Sequence, residues 1–236
     1  MHGAQQHHSG AGDNYYRMIT LEQVTNHPQT RIFMDMADSN LAAMGYTEHG
    51  ARHAMLVANM TNYLLEKLSY DKKTQVLGSI AGYLHDIGNA INRNDHGISS
   101  AFLSYQILKD LRADYHDIAR IISATGNHDE IRGEPVNNIA AAVVIADKAD
   151  VHSSRVRSTK ELTFDIHDRV NYAVKKSRLH VNPKLKTITL EISIDNRISK
   201  VMEYFEIFLT RMMACQKAAK TLDCEFKLVI NKTKLL

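Results

Sequence analysis

The sequence predicts a mainly α-helical protein, with a helical bundle followed by a small α+β C-terminal domain. Apolar residues recur at spacings of three and four from about residue 20 to residue 150, as expected for helices that bury one face. A polar joint follows at residues 153–158, and apolar residues beyond it alternate with polar ones. We therefore expect a tail at residues 1–15, a bundle domain at 16–154 and an accessory domain at 155–236.

The predicted helices of the bundle each show an apolar stripe. Thr20 is placed to cap the first helix, and the other helices of this part are predicted at 32–44, 49–68, 72–85, 99–111, 117–125 and 136–150. The last of these is apolar on most sides, so we expect it to be the central, buried helix. Residues 1–13 are rich in Gly, Gln and His without periodicity, which predicts a disordered tail.

The C-terminal part has a different pattern. Residues 161–177 are predicted as a helix, 186–194 as a half-buried strand, 197–223 as a long helix and 225–231 as a second strand. The strand at 186–194 would offer an edge to a second chain if it lay at the border of its sheet, so a homodimer through this domain is one expectation.

Composition excludes several classes of protein. Hydrophobic residues make up 44% of the 236 residues and charged residues 23%, which is ordinary globular usage. The net charge of +3 gives no strong indication of nucleic-acid binding. No apolar run is long enough for a membrane span, and the N-terminal residues lack the apolar core of a secretory signal. Together with two widely spaced cysteines, this favours a cytoplasmic protein with reduced thiols.

Histidine is the unusual residue, since the chain has thirteen. Three lie in the predicted tail. In the helical part, His53, the adjacent pair His85-Asp86 and the later Asp147 each lie at or near the end of a predicted helix. Two imidazoles and two carboxylates suit Fe, Mn, Co or Zn, with Mg as a further candidate, rather than Ca or Cu(I).

The order His53, His85-Asp86, Asp147, with Leu-His-Asp-Ile-Gly at 84–88 and Ala-Asp-Lys at 146–148, resembles the HD-domain superfamily of metal-dependent phosphohydrolases. The resemblance covers roughly residues 47–150. His96 and His128 look like the third and fourth histidines of members that hold two metals. The resemblance to this superfamily implies a dinuclear metal centre in which Asp86 is the bridging ligand. It also implies that a metal-bound hydroxide hydrolyses a phosphate mono- or diester of a nucleotide.

Some positions depart from known branches of this superfamily. The cyclic-di-nucleotide branch has a paired His-His followed by Gly-x-Gly-Tyr-Pro, whereas Asn127 replaces the first histidine here and residues 132–135 are too short. Asn89 replaces the usual lysine after the His-Asp-x-Gly run. Residues 126–129 also match a motif of calcineurin-type phosphoesterases, but the upstream strand motifs of that fold are missing.

Cations near the ligands are candidates for binding phosphate. We expect Lys148 and Arg93 to act with Asp86 in catalysis, and Arg52 to be an additional candidate. His49, one helical turn before His53, is a candidate extra ligand or proton donor, with a polar surface histidine as the alternative. Two other functions stay open: a metal-binding signalling or regulatory module without turnover, and a di-iron oxygenase of the same superfamily.

Overall fold

A computed structural model describes residues 18–157 and 166–235, so the predicted N-terminal tail lies outside the described residues. The mainly α-helical prediction is confirmed. The helices of the first part are α1 Leu21–Asn26, α2 Pro28–Ala43, α3 Ala51–Lys67, α4 Lys72–Leu84, α5 His96–Asp110, α6 Tyr115–Gly126 and α7 Asn138–Lys148. Two short 3₁₀ helices follow α4 and α7, at Ile87–Ala90 and Ser153–Arg155.

Local sequence signals explain where several of these helices begin. Thr20 caps α1 through its hydroxyl, and Gln23 returns the hydrogen bond to the Thr20 backbone, as a capping box requires. Asp71, Asp114 and Asn137 cap α4, α6 and α7 with side-chain oxygens. These caps fix the direction from which each helix enters the bundle.

Small residues let α3 and α4 approach closely. A Cβ atom on Gly82 would lie 3.1 Å from the Cα and backbone nitrogen of Ala58, and one on Gly78 would clash with the side chain of Leu65 at 2.4 Å. Glycine at these positions therefore sets the distance between the two helices. This matters for function because α3 carries His53 and α4 leads directly into His85.

Helix α7 is the centre of the molecule, as its sequence predicts. One side, with Ile139, Ala140 and Val143, packs into a core shared with α1 to α6. The other side, with Ala142 and Ile145, packs into a second core that includes α3, α9 and the sheet. Each fully buried aliphatic side chain of this size contributes about 1.5–3 kcal/mol, so α7 is anchored from both sides.

The C-terminal part contains α8 Ile166–Ala173, β1 Val174–Asn182, β2 Thr187–Ile194, α9 Val201–Thr221, β3 Glu225–Ile230 and the short β4 Thr233–Lys234. The sheet has the order β1-β2-β3-β4, with β2 antiparallel to β1 and parallel to β3. Residues 186–194 were predicted as a strand whose free edge could pair with a second chain. In the structure this strand is internal and is paired on both sides. A homodimer stays a prediction, but this strand cannot supply its edge.

The predicted helix at 161–177 is wrong in its last part, since residues 174–177 belong to β1. A bulge between Val174 and Lys176 explains why the strand was missed. Val174 and Leu179 are both buried although they are five residues apart, so the bulge breaks the alternation on which strand prediction depends. Residues 161–165 of that prediction lie outside the described residues.

The boundary predicted at residue 154 remains a prediction. The second core joins side chains from both sides of it, including Leu64 of α3 and Leu190 of β2. Both cysteines are free and buried. In the described ranges, none of the helices combines the length and the apolar character needed to cross a bilayer.

Candidate metal centre

Six side chains predicted as ligands meet at one place because each lies at a helix end. His53 is in the first turn of α3, and Asp147 is in the last turn of α7. The other four are His85 and Asp86, which directly follow α4, His96, which begins α5, and His128, which lies two residues beyond the end of α6. All but Asp147 are buried, and the Asp147 side chain is only 11% exposed.

His53, His85, Asp86 and Asp147 form a first ligand set. The Nε2 atoms of His53 and His85 are 3.3 Å apart, and His53 Nε2 lies 3.4 Å from Asp147 Oδ1. His85 Nε2 lies 3.2 Å from Asp86 Oδ2. Four donor atoms therefore face one small volume.

Asp86, His96 and His128 form a second ligand set beside the first. Asp86 Oδ1 lies 3.2 Å from His96 Nε2 and 3.5 Å from His128 Nε2, and these two nitrogens are 3.0 Å apart. Asp86 thus turns one oxygen, Oδ2, toward the first set and the other, Oδ1, toward the second. This is the geometry that a bridging carboxylate requires.

The hydrogen bonds made by Nδ1 determine which ring nitrogen of each histidine carries the proton. Nδ1 of His85, His96 and His128 donates to the backbone carbonyls of residues 82, 93 and 125, at 2.7, 3.1 and 2.7 Å. His53 Nδ1 lies 2.7 Å from Asp150 Oδ2. Because carbonyls and carboxylates only accept hydrogen bonds, each neutral ring keeps its proton on Nδ1 and presents the Nε2 lone pair to the centre.

This arrangement fits a divalent metal ion. The Nε2 lone pairs of His96 and His128 face each other at 3.0 Å, and they would repel each other without a cation or a proton between them. Imidazole nitrogens and carboxylate oxygens together suit Fe, Mn, Co or Zn. The clustered side chains thus match the metal centre expected from the sequence, without fixing the identity or number of the ions.

The electrostatics of the cluster also favour a cation. Burial opposes the ionisation of Asp86 and Asp147. The neighbouring imidazoles, first of all His85, nevertheless hold the pKa of Asp86 well below its usual range, and Lys148 with the imidazoles does the same for Asp147. Burial disfavours the charged form of His85, but the two carboxylates outweigh it and raise its pKa to about 10. Burial lowers the pKa of His128. Without a metal ion, the protein therefore holds a proton on His85, where the ion would bind.

Lys148 lies in a chain of charges that leads away from the ligands. Its Nζ is buried, 2.5 Å from Asp147 Oδ2 and 2.6 Å from Glu130 Oε2. Glu130 also accepts from Arg211 of α9 at 3.3 Å. Burial would raise the pKa of Glu130, but Lys148 and Arg211 lower it to about 2. Lys148 is thus held by two carboxylates, and its predicted contact with a phosphate stays a prediction.

Arg93 borders the second ligand set. Its Nη1 lies 3.3 Å from the side-chain oxygen of Asn89 and 3.4 Å from His96 Nε2. The guanidinium also stacks on the ring of Tyr46 at 5.3 Å. Asn89, which replaces the usual lysine, donates to Asp86 Oδ1 at 3.1 Å. Arg93 is therefore positioned beside the ligands and is partly buried; its contact with a phosphate stays a prediction.

Arg52 and His49 are near the centre but differ in accessibility. Arg52 is exposed and forms ion pairs with Glu48 and Asp150. The His49 ring lies 5.5 Å from the ring of His53, and its Nδ1 donates to the Thr47 carbonyl at 2.6 Å. Burial, together with the charge of Arg155, keeps the pKa of His49 well below its usual value. It is thus an uncharged imidazole at neutral pH.

Sequence reasoning missed three side chains that act on the ligands. Asp150 orients His53, Glu130 holds Lys148, and Tyr46 supports Arg93. Asp150 could have been found, because it lies three residues after Asp147 and faces the same side of the chain end. Glu130 and Tyr46 carried no such signal, since only the tertiary fold brings them to the centre.

Comparison with known proteins agrees with this geometry. Residues 50–154 match the family model described as the HD domain. The chain is 27% identical over 207 residues to the uncharacterized protein MJ1020 of Methanocaldococcus jannaschii, covering 76% of this chain and 77% of that protein. It is 29% identical over 102 residues to ribonuclease Y of Lawsonia intracellularis, covering 43% of this chain but only 18% of that protein. The second similarity thus concerns a small part of the relative.

Proposed function

The chain carries an HD domain over residues 50–154, and from this premise we propose that it is a metal-dependent hydrolase of a phosphate mono- or diester, with a nucleotide as the substrate class. The observation that carries the proposal is the carboxylate of Asp86, whose two oxygens face two sets of lone pairs. This arrangement suits a pair of divalent ions. Such ions, when bound, lower the pKa of a coordinated water and neutralise charge on a phosphoryl group.

The chain's own residues would orient and bind the substrate. The hydrogen bonds made by the four Nδ1 atoms keep the imidazoles in fixed orientations, so the centre is organised before substrate arrives. Arg93 would donate to a phosphate oxygen beside the second ligand set. Uncharged His49, with Nδ1 already donating to a carbonyl, has Nε2 left to accept a proton or a hydrogen bond near His53.

Two features support a phosphodiester of a nucleic acid or nucleotide within this class. One relative, similar over 102 residues of this chain, is named ribonuclease Y. Arg93 is stacked on Tyr46, a residue that is 43% exposed and would be available to a planar group such as a nucleobase.

The test combines metal analysis with a screen for hydrolysis. Purified protein would be analysed for bound metals and then assayed with Mn, Fe, Co, Zn or Mg against nucleotides, dinucleotides and a chromogenic phosphodiester. We expect at least one phosphate ester to be cleaved, and Asp86→Ala to abolish cleavage. Asp35→Ala, which removes an exposed carboxylate on α2, is the matched control and should keep full activity. Confirmed metal binding without cleavage of any substrate would contradict the proposal.

A further inference from the structure

The net charge of the chain hides a strong asymmetry. Residues 166–236 contain fourteen Lys and Arg but seven Asp and Glu, a net charge of +7. The total of 29 basic and 26 acidic residues then leaves fifteen and nineteen for residues 1–165, a net charge of −4. A large difference in charge between two parts of a chain indicates a surface that binds a charged partner. The basic part is the one that contains the sheet.

Several of these cations lie on the outer face of the sheet, opposite the core. Beyond the bulge in β1, Leu179 points into the core, so Lys176 and Arg178 point outward and both are exposed. Lys232 is close to them because Asn231 binds the backbone of Ile194 through both side-chain atoms, at 2.8 and 3.0 Å. Lys176, Arg178 and Lys232 line one cavity of about 340 Å³. We call these three residues the basic sheet face.

The basic sheet face carries more positive than negative charge. In the part of the chain that the structure describes, no carboxylate lies within ion-pair distance of Lys176, Arg178 or Lys232. Glu191 lines the same cavity and stands opposite Arg178 in the pairing of β1 with β2, so it offsets one of the three positive charges. Other cations of this part are paired, as Lys227 is with Glu225 and Arg197 with Asp195. Three cations and one carboxylate around the cavity leave a net positive charge that attracts anions.

We propose that the basic sheet face binds the phosphate backbone of single-stranded nucleic acid. Lys176 and Arg178 alternate along an extended strand, which places them about 6.8 Å apart, a spacing comparable with that of successive phosphates in an extended single strand. The outer face is polar, with Thr189, Glu191 and Ser193 of β2 on the same side as the cations. It therefore lacks the large apolar side chains that a membrane-binding surface would insert between lipids.

The position of β1 connects this face to the metal centre. The hydroxyl of Ser177, between Lys176 and Arg178, donates to the carbonyl of Ala149 at 2.6 Å. Ala149 lies two residues after Asp147, so the strand that carries the cations is fixed to the end of α7. Binding by this face requires no metal and goes beyond the proposed hydrolysis.

Fluorescence anisotropy with labelled single-stranded RNA and DNA, in EDTA to prevent cleavage, tests this proposal. In the triple variant Lys176→Ala, Arg178→Ala, Lys232→Ala we expect at least a tenfold weaker affinity at low salt. Losing three phosphate contacts should also flatten the dependence of log K on log salt by about 2, because each contact contributes roughly 0.7 to the slope for single strands. Circular dichroism would verify that the variant is folded.

Two controls make the outcome specific. The variant Lys67→Ala, Lys72→Ala, Lys109→Ala removes the same charge from exposed positions on α3, α4 and α5, and its affinity and slope should stay near those of the wild type. Arg178→Lys keeps the charge and should retain most of the binding. Equal losses in both triple variants, or no measurable binding of either nucleic acid by the wild type at low salt, would overturn the proposal. So would binding only to vesicles of anionic lipid.

Discussion

Replacing Gly88 with Ala should damage the second ligand set selectively. A Cβ atom at this position would lie 2.2 Å from the carbonyl oxygen of His96 and 2.4 Å from the backbone nitrogen of Ser100. Reaching even a tight contact of 3.0 Å requires α5 to move by about 0.8 Å, and overpacking of this kind costs about 1–3 kcal/mol. Metal sites tolerate errors of about 0.2 Å in ligand distances, so His96 would leave its position next to Asp86.

Titration calorimetry and metal analysis would measure this effect. We expect Gly88→Ala to keep binding at the first ligand set, because the clash is with α5, which carries none of its four ligands, and to weaken the second binding event at least tenfold. Gly126→Ala is the matched control: its Cβ would meet only the Cβ of Ala101 at 3.4 Å, an ordinary contact, although it lies two residues from His128. Two unchanged binding events in Gly88→Ala would refute the reasoning.

Three further predictions concern the charges of the cluster. Asp86→Ala should abolish both binding events, because both ligand sets lose an oxygen; metal analysis showing both ions retained would exclude the bridging role. Metal binding at pH 7.5 should release protons, since without metal the pKa of His85 is about 10 and the ring must lose its proton to bind. The apparent affinity should thus rise with pH, and a calorimetric enthalpy independent of the buffer would contradict this. Glu130→Gln should weaken metal binding severalfold, because Lys148 would then pair with Asp147 alone and compete with the metal for its carboxylate. Competition with a chelator would measure the change in metal affinity, and an unaltered affinity would contradict this prediction.

The candidate ligands could be picked out from sequence because each lies at or near a helix end with a local signature, and the structure brings their side chains together. Hydrophobic periodicity locates the helices, and the residues that interrupt it at their ends are His53, His85, Asp86 and Asp147. The need for glycine at residue 88 is a tertiary effect. Helix α4 already ends at Leu84, and glycine is required at residue 88 because α5 approaches the chain there.

Features that depend on tertiary contacts were not predictable. Strand β1 was hidden by its bulge, and the basic sheet face exists only because β1, β2 and the turn after β3 come together. Arg211 lies 81 residues from Glu130 in sequence, so no local pattern could connect α9 to the centre. Net charge does not show the asymmetry of the chain, since it averages an acidic and a basic part.

The two ligand sets differ in a way that suggests where a phosphate would bind. The first has four donors with two carboxylates, whereas the second has three donors and only the shared Asp86. An ion in the second set would be held by less negative charge and would have more coordination positions left for other ligands. Arg93 lies beside this set, so a phosphate there could contact both the ion and the guanidinium. By thermodynamic reciprocity, phosphate and the second ion should then strengthen each other's binding by the same factor.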